Sequence, residues 1–355
     1  MRCARARATW IAACAASVVA LFTSSAAAAD KRTVVDSAGR RVEVPAKIDR
    51  VFVAGGPASV FIYTLAPDKL LGWNRPLTTE ERAYIPPRYA NLPTLGRLTG
   101  RGNTANVEVM LTSRPDVIID YGVVNPTYVS LADRVQQQTG VPYLLFDGSL
   151  SQIPRAYIAA GEALGVGTRA KELARYAEGL LAEIDERLAR VPAEKRPLVY
   201  YARGPRGLQT GLKGSINVES LERIGARNIA AERMGPGGIV TVSPEQLLAW
   251  NPEVVITIEF DFFTAARSDD VWKGVKAVRD GRLYVAPTEP FPWLDFPPSV
   301  NRLIGLKWLG RILYPQRFPE DLREETRRFY GLFYHQAVDE RQLDALLGSS
   351  GRAGQ

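Results

Sequence analysis

From residue 51 onward, short apolar runs alternate with longer amphipathic stretches. Val51–Ala54, Val117–Asp120 and Tyr143–Phe146 are compact runs of β-branched, aliphatic and aromatic residues, the pattern of buried strands. Between them Val60–Ala66, Val107–Ser113 and Tyr128–Thr139 carry helical spacing, and Gly140 is placed to stop the last one. The pattern then repeats. Leu198–Ala202, Val254–Ile258 and Leu283–Ala286 read as strands, and Ile216–Ile224, Pro244–Trp250 and Ser299–Tyr314 as helices. A hairpin precedes all of this, with Thr33–Asp36 and Arg41–Val44 flanking Ser37-Ala-Gly-Arg40. Alternating strand and helix predicts parallel α/β architecture.

The two halves also share sequence. Val51-Phe-Val-Ala-Gly-Gly-Pro57 is similar to Val199-Tyr-Tyr-Ala-Arg-Gly-Pro205. The segment from Asn106 to Asp120 is similar to that from Pro244 to Thr257, with Glu108 opposite Glu245, Leu111 opposite Leu248 and Pro115 opposite Pro252. The offsets are 148 and 137 residues, so both pairs lie nearly in one register. Two matching lobes are expected, each far longer than a solenoid repeat. Between them, Leu173, Ala177, Leu180, Leu181, Ile184, Leu188 and Val191 recur at helical spacing from Thr168 to Val191. The expected fold class is therefore α/β, with two Rossmann-like lobes of parallel sheet joined by one long helix and a ligand cleft between them. The expected boundaries are 30–166 for the first lobe, 167–194 for the joining helix, 195–345 for the second lobe and 346–355 for a disordered tail.

Residues 1–29 fall outside that pattern. Arg2, Arg5 and Arg7 precede an apolar run from Ile11 to Phe22, and small residues end it at Ala29. This is the form of a secretory signal peptide, and the run is too short for a stable span. A lipid anchor at Cys14 is the minority reading, because its box opens the apolar run instead of following it. Both cysteines, Cys3 and Cys14, lie in this segment, so the mature chain is expected to carry neither disulfide nor thiolate ligand. The formal charge of +7 falls to +4 without the three leader arginines, from 42 basic and 38 acidic residues. That balance gives no reason to expect nucleic acid or a membrane surface as partner.

The signal segment, the Val-Asp-Ser-Ala-Gly-Arg hairpin, the Asn-Val-Glu…Arg-Pro-Asp-Val-Ile-Ile segment and the long joining helix together resemble the helical-backbone (class III) periplasmic substrate-binding proteins of ABC importers. The resemblance spans residues 31–345. It implies a monomeric periplasmic carrier of ferric siderophores, corrinoids, haem or certain oxyanions, with no cofactor of its own. It further implies that the loaded protein docks on a permease dimer in the inner membrane, one lobe per subunit, through an acidic residue on each lobe. By motif these are Glu108 and Glu245. Both also sit where a carboxylate complements a helix N-terminus, which is reason enough for a glutamate.

The loops after the strands carry the candidate ligand chemistry. They supply Gly55 and Gly56, Trp73, Arg97 and Arg101, Tyr121, Arg203 and Arg206, Glu259 and Phe260, and Trp293 with Asp295; Arg302 follows in the next helix. Arginine forks recognise anionic oxygens and tryptophan offers a flat apolar wall. Arginine with aromatics suits an anionic metal chelate, first a ferric siderophore, held by Trp293, Arg203, Arg206, Trp73, Arg101, Tyr121, Asp295, Arg302 and Gly56. Trp293 is expected to line the cleft, so that its truncation weakens binding and leaves stability little changed. A molybdate or tungstate oxyanion is the alternative, using backbone and hydroxyl donors at Gly55, Gly56, Ser59, Thr104 and Ser215. Corrinoid or haem comes third, with Tyr121 as the one axial candidate.

The stretch FPWLDFPPSVNRLIGLKWLG, residues 291–310, divides accordingly. Its first six residues are expected at the ligand and its last twelve in a core helix.

Free transition metals are not expected. The single histidine, His335, reads as a surface residue of the last helix, and no resident metal is implied. An exported enzyme acting on a metal chelate is the alternative from another class. It lacks support from any nucleophile elbow, P-loop or dinucleotide fingerprint, and Glu259 and Asp295 would have to meet to act as base and acid.

Overall fold

The computed structural model describes residues 30–100 and 107–348. Strands β1 (Lys31–Val35) and β2 (Arg41–Pro45) form the opening antiparallel hairpin. Its turn is tied to the first lobe by Asp36. The Asp36 carboxylate pairs with Arg40 at 2.7 Å and accepts from the Leu145 amide at 3.2 Å, while Ser37 N–H donates to the Leu145 carbonyl at 2.9 Å.

Strands β3 (Val51–Val53), β4 (Val117–Gly122) and β5 (Tyr143–Asp147) form a parallel sheet in that order, with Val51 opposite Val117 and Ile118 opposite Tyr143. The second lobe opens with β6 (Leu198–Ala202) and the short strands β7 (Gln209–Gly211), β8 (Arg227–Asn228) and β9 (Ile239–Thr241). It closes with β10 (Val254–Thr257) and β11 (Leu283–Val285). Its main sheet runs β11-β10-β6-β8, all parallel, and β7 and β9 pair as a separate antiparallel ribbon.

Alternation along these strands builds the core. Val51, Val53, Val117, Ile119, Leu144 and Phe146 face one way in the first sheet, and Val199, Tyr201, Val254, Ile256 and Tyr284 in the second. All belong to one apolar cluster that runs through both lobes. The intervening residues face outward into two separate clusters. Phe52, Ile118, Tyr143 and Leu145 lie in one, and Tyr200, Val255, Leu283 and Val285 in the other. Both faces of each sheet are thus buried, which is why the strands read as continuous apolar runs.

The joining helix is Gly167–Leu188, and its buried face is the predicted one: Leu173, Ala177, Leu180, Leu181, Ile184 and Leu188. A second helix, Ile153–Leu164, precedes it and was not anticipated. The two meet where Gly161 faces Ala170; a side chain on Gly161 would overlap the Ala170 β-carbon. The Pro244–Trp250 helix matches its predicted bounds, because Ser243 and Gln246 form a reciprocal capping box and Asn251 takes the left-handed conformation.

The last helices, Leu322–Phe333 and Glu340–Gly348, return to the first lobe. Tyr63 Oη donates to the Tyr334 carbonyl at 2.6 Å, and Gln342 Nε2 donates to the Ala83 carbonyl at 2.9 Å. His335 lies in the turn between these helices, not on the last one. Its Nε2 is 3.1 Å from the Tyr63 carbonyl, and its ring meets the Tyr63 ring edge-on. Shared core, joining helix and returning helices bind the lobes into one body, unlike domains joined only by a flexible linker.

Candidate functional site

The loops that follow the C-terminal ends of the two parallel sheets meet at Gly56 and Pro297, and such strand ends are the usual place for ligands in α/β sheets. On the first lobe, β3 runs through Ala54 and Gly55 into the Gly56–Leu65 helix. That helix begins without a side-chain cap and with proline in its first turn. Its N-terminus therefore presents backbone N–H groups and the positive end of the helix dipole. Gly55 and Gly56 both sit in crowded positions. A β-carbon on Gly56 would lie 3.3 Å from the Pro297 ring of the opposite lobe, and one on Gly55 would press on Thr99. Beside them Asn74 Oδ1 accepts from Ser59 Oγ at 2.8 Å, in a buried setting.

On the second lobe, β6 delivers Arg203. Its backbone is fixed by a tight hairpin in which Arg203 N–H donates to Gln209 O at 2.8 Å and Gln209 N–H returns to Arg203 O at 3.1 Å. The turn between them uses Gly204 and Gly207 at positive φ. Arg203 Nε lies 2.7 Å from Asp295 Oδ2. The Arg203 side chain is 11% exposed and that of Asp295 fully buried. The other carboxylate oxygen of Asp295 accepts from Asn217 Nδ2 at 2.6 Å and from the Phe296 amide at 2.7 Å. Burial raises the Asp295 pKa, against the opposing pull of Arg203 and Asn217.

The expected aromatic wall lies elsewhere. Trp293 is fully buried, its indole N–H donating to Tyr330 Oη at 3.1 Å, and it belongs to the central core. Trp73 is also core, its indole N–H bonded to the Tyr89 carbonyl at 2.9 Å and its ring against Phe291. Tyr121 is buried and stacks on Phe61 with ring centroids 4.3 Å apart. Its hydroxyl has no hydrogen-bond partner among the described residues, and burial pushes its pKa well up while Arg302 pulls it down. These three rings read as wall from sequence because loop aromatics and core aromatics look alike there.

Arg302 is likewise enclosed. Nη1 is 2.6 Å from Glu219 Oε2, Nε donates to the Ser299 carbonyl at 3.0 Å, and Nη2 reaches the Gly148 carbonyl of the first lobe. Arg206 is exposed and contributes its carbonyl to Trp272 Nε1 at 3.1 Å. Arg101 and Thr104 lie outside the described residues. Sequence reasoning missed Asn217 and Glu219, which follow no strand directly and carry no pattern of their own. Phe296, expected at the ligand edge, is exposed there, and Phe260 and Phe296 are the two exposed phenylalanines of the cleft loops among the described residues, at 57% and 65%.

Glu108 and Glu245 both lie exposed in the first turns of the Val107–Thr112 and Pro244–Trp250 helices. The Ser243 hydroxyl holds the Glu245 carboxyl below its ordinary range. Leu111 and Leu248, each three residues further on, are 41% and 40% exposed. A groove of about 290 Å³ behind the joining helix is lined by Arg175, Tyr176, Arg187, Lys307, Glu183 and Glu325. It lies away from the strand ends, and Lys307 and Arg187 are paired with Glu183 there. Among the described residues, no cluster of three or more His, Cys, Asp or Glu is placed to hold a metal ion, and no helix is long and apolar enough to cross a membrane.

Comparison with known proteins agrees with this architecture. A family profile for periplasmic binding proteins matches residues 69–290. The chain belongs to that family and is a substrate-binding protein of ABC transport, not an enzyme. It is 26% identical over 341 residues to the molybdate-binding protein MolA of Haemophilus influenzae, covering 88% of this chain and 94% of the relative. Among solved structures, an ABC transporter solute binding protein of Sulfurospirillum deleyianum superposes with a TM-score of 0.81 at 28% identity, covering 89% of this chain and 99% of the other. The molybdate-bound structure of MolA superposes with a TM-score of 0.71 at 22% identity, covering 87% and 99%.

Proposed function

We propose that the protein captures a small tetrahedral oxyanion of the molybdate type between its lobes and delivers it to a permease dimer. One observation carries this reading. The large rings expected to form a ligand wall, Trp73, Trp293 and Tyr121, are packed in the core, whereas the cleft edges offer the uncapped start of the Gly56–Leu65 helix and the part-exposed side chain of Arg203. Backbone N–H groups and one forked cation suit a compact anion better than a bulky chelate. The molybdate-binding relative supports the same ligand class.

A ferric siderophore, the first expectation from sequence, becomes the second reading. The exposed rings of Phe260 and Phe296 favour it, since they could cover an apolar periphery. Docking is assigned to Glu108 and Glu245, with Leu111 and Leu248 on the same helical faces. A partner with two-fold symmetry favours the same pairing on both lobes.

Thermal shift against molybdate, tungstate, sulfate and a ferric trihydroxamate tests the ligand class. Saturating molybdate at about 100 times its Kd is expected to stabilise the fold by about 2.7 kcal/mol. A shift with the chelate and none with any oxyanion would replace this reading by the second one.

A further inference from the structure

We infer that Asp295 is a resident competitor of the ligand: its carboxylate occupies Arg203 in the unloaded protein, and an arriving anion displaces it. The inference rests on the reading of the cleft as an anion site. Three observations carry it.

The pair is held by charge alone. Arg203 Nε and Asp295 Oδ2 stand 2.7 Å apart, yet neither atom makes an aligned hydrogen bond. Asp295 is anchored through its other oxygen, by Asn217 and the Phe296 amide. When Arg203 turns away, Asp295 therefore keeps two donors and is not left as a bare buried charge.

Access is one-sided. The Arg203 side chain has an exposed edge and that of Asp295 has none, so an anion from solvent meets Arg203 first. The hairpin that fixes the Arg203 backbone leaves its side chain as the moving part.

The anchor is also linked to the rim. Phe296 adopts φ +59°, a strained conformation for a bulky residue, while its amide is bonded to Asp295 and its ring is exposed. A change at Asp295 is thus felt by an exposed aromatic ring on the cleft rim.

The groups facing Asp295 are Arg203, Asn217, Arg302 and the Tyr201 hydroxyl; Arg302 is itself paired with Glu219, and Glu259 lies near Tyr201. Protonating Asp295 removes the competitor, so anion affinity tightens as pH falls through its titration. Burial raises that titration above the ordinary carboxylate range.

The test is equilibrium dialysis of molybdate against wild type and Asp295→Asn at pH 7.5 and 5.5. The variant is expected to bind about tenfold tighter at the higher pH, and the gap to wild type to narrow toward the lower. A folded variant that binds equally or more weakly overturns the inference and leaves the ligand class standing. If the variant does not fold, the wild-type profile decides: affinity that is flat or weaker at low pH overturns it. Wild type that binds no oxyanion at either pH removes both.

Discussion

Arg302 and Glu219 form an ion pair at 2.6 Å in which each partner also grips the opposite lobe. Arg302 Nη2 reaches the Gly148 carbonyl, and Glu219 Oε1 accepts from the Leu150 amide at 2.8 Å. Gly148 is suited to that role, since a β-carbon there would overlap the backbone of Gly122. Sequence placed Arg302 at the ligand; its full burial and its side-chain bonds to Ser299, Glu219 and Gly148 make it a clasp between the lobes.

Removing Arg302 takes out the fully buried partner and leaves the part-buried Glu219 carboxylate and the Ser299 and Gly148 carbonyls without their donor. Arg302→Ala is expected to lower unfolding free energy by about 3–5 kcal/mol. Denaturant titration of the ligand-free protein measures this, and a loss below about 1 kcal/mol, the scale of a surface pair, would return Arg302 to the ligand site.

Trp293→Ala follows the same logic in the apolar core. The indole is fully buried, and its backbone carbonyl touches the helix at Gly305, where any side chain would overlap it. A loss of about 3–5 kcal/mol is expected for a buried tryptophan. A variant of unchanged stability with weakened ligand binding would restore the reading of Trp293 as cleft wall.

Asp120, at the end region of β4, gives a signature in pH. Burial raises its pKa to about 6 from an ordinary 3.8, although Tyr143, the Tyr121 amide and Thr99 all donate to it. A carboxyl whose folded pKa is raised favours folding when protonated. Its stabilising contribution is present below the unfolded value and is lost as pH rises through about 6. Asp120→Asn should therefore gain up to about 2–3 kcal/mol over wild type at pH 7.5, and the gain should shrink toward pH 4. Melting curves across that range check it; a gain that grows on acidification would contradict the burial argument.

The docking faces are tested in parallel pairs. Glu108→Ala with Glu245→Ala is expected to abolish uptake while leaving ligand affinity unchanged. Leu111→Ser with Leu248→Ser should weaken docking about thirtyfold, as the loss of about 1 kcal/mol at each of two exposed aliphatic contacts would. Normal uptake by the glutamate pair would remove the docking assignment; loss by that pair alone would confine docking to charge.

Much of the fold was legible because burial on both sheet faces writes itself as apolar runs. Val117–Asp120 and Val254–Ile258 announce strands whatever their neighbours do. Ile153, Ala156, Tyr157, Ala160 and Leu164 of the Ile153–Leu164 helix also follow helical spacing, but over fewer turns than the helix after it, which carries the stronger pattern. The site was less legible. Trp73, Trp293 and Arg203 all lie in connecting loops, and only packing separates the two rings that turn inward from the arginine side chain that keeps an open edge. Asn217 and Glu219 enter through long-range contacts that no local pattern encodes.

Equilibrium dialysis of the protein against equal molybdate and ferric trihydroxamate, with bound molybdenum and iron counted by elemental mass spectrometry, bears most directly on the account. Molybdenum retained at a fixed ratio per chain, undisturbed by the chelate, is the predicted result. Iron retained with its chelate while molybdenum passes freely would contradict it.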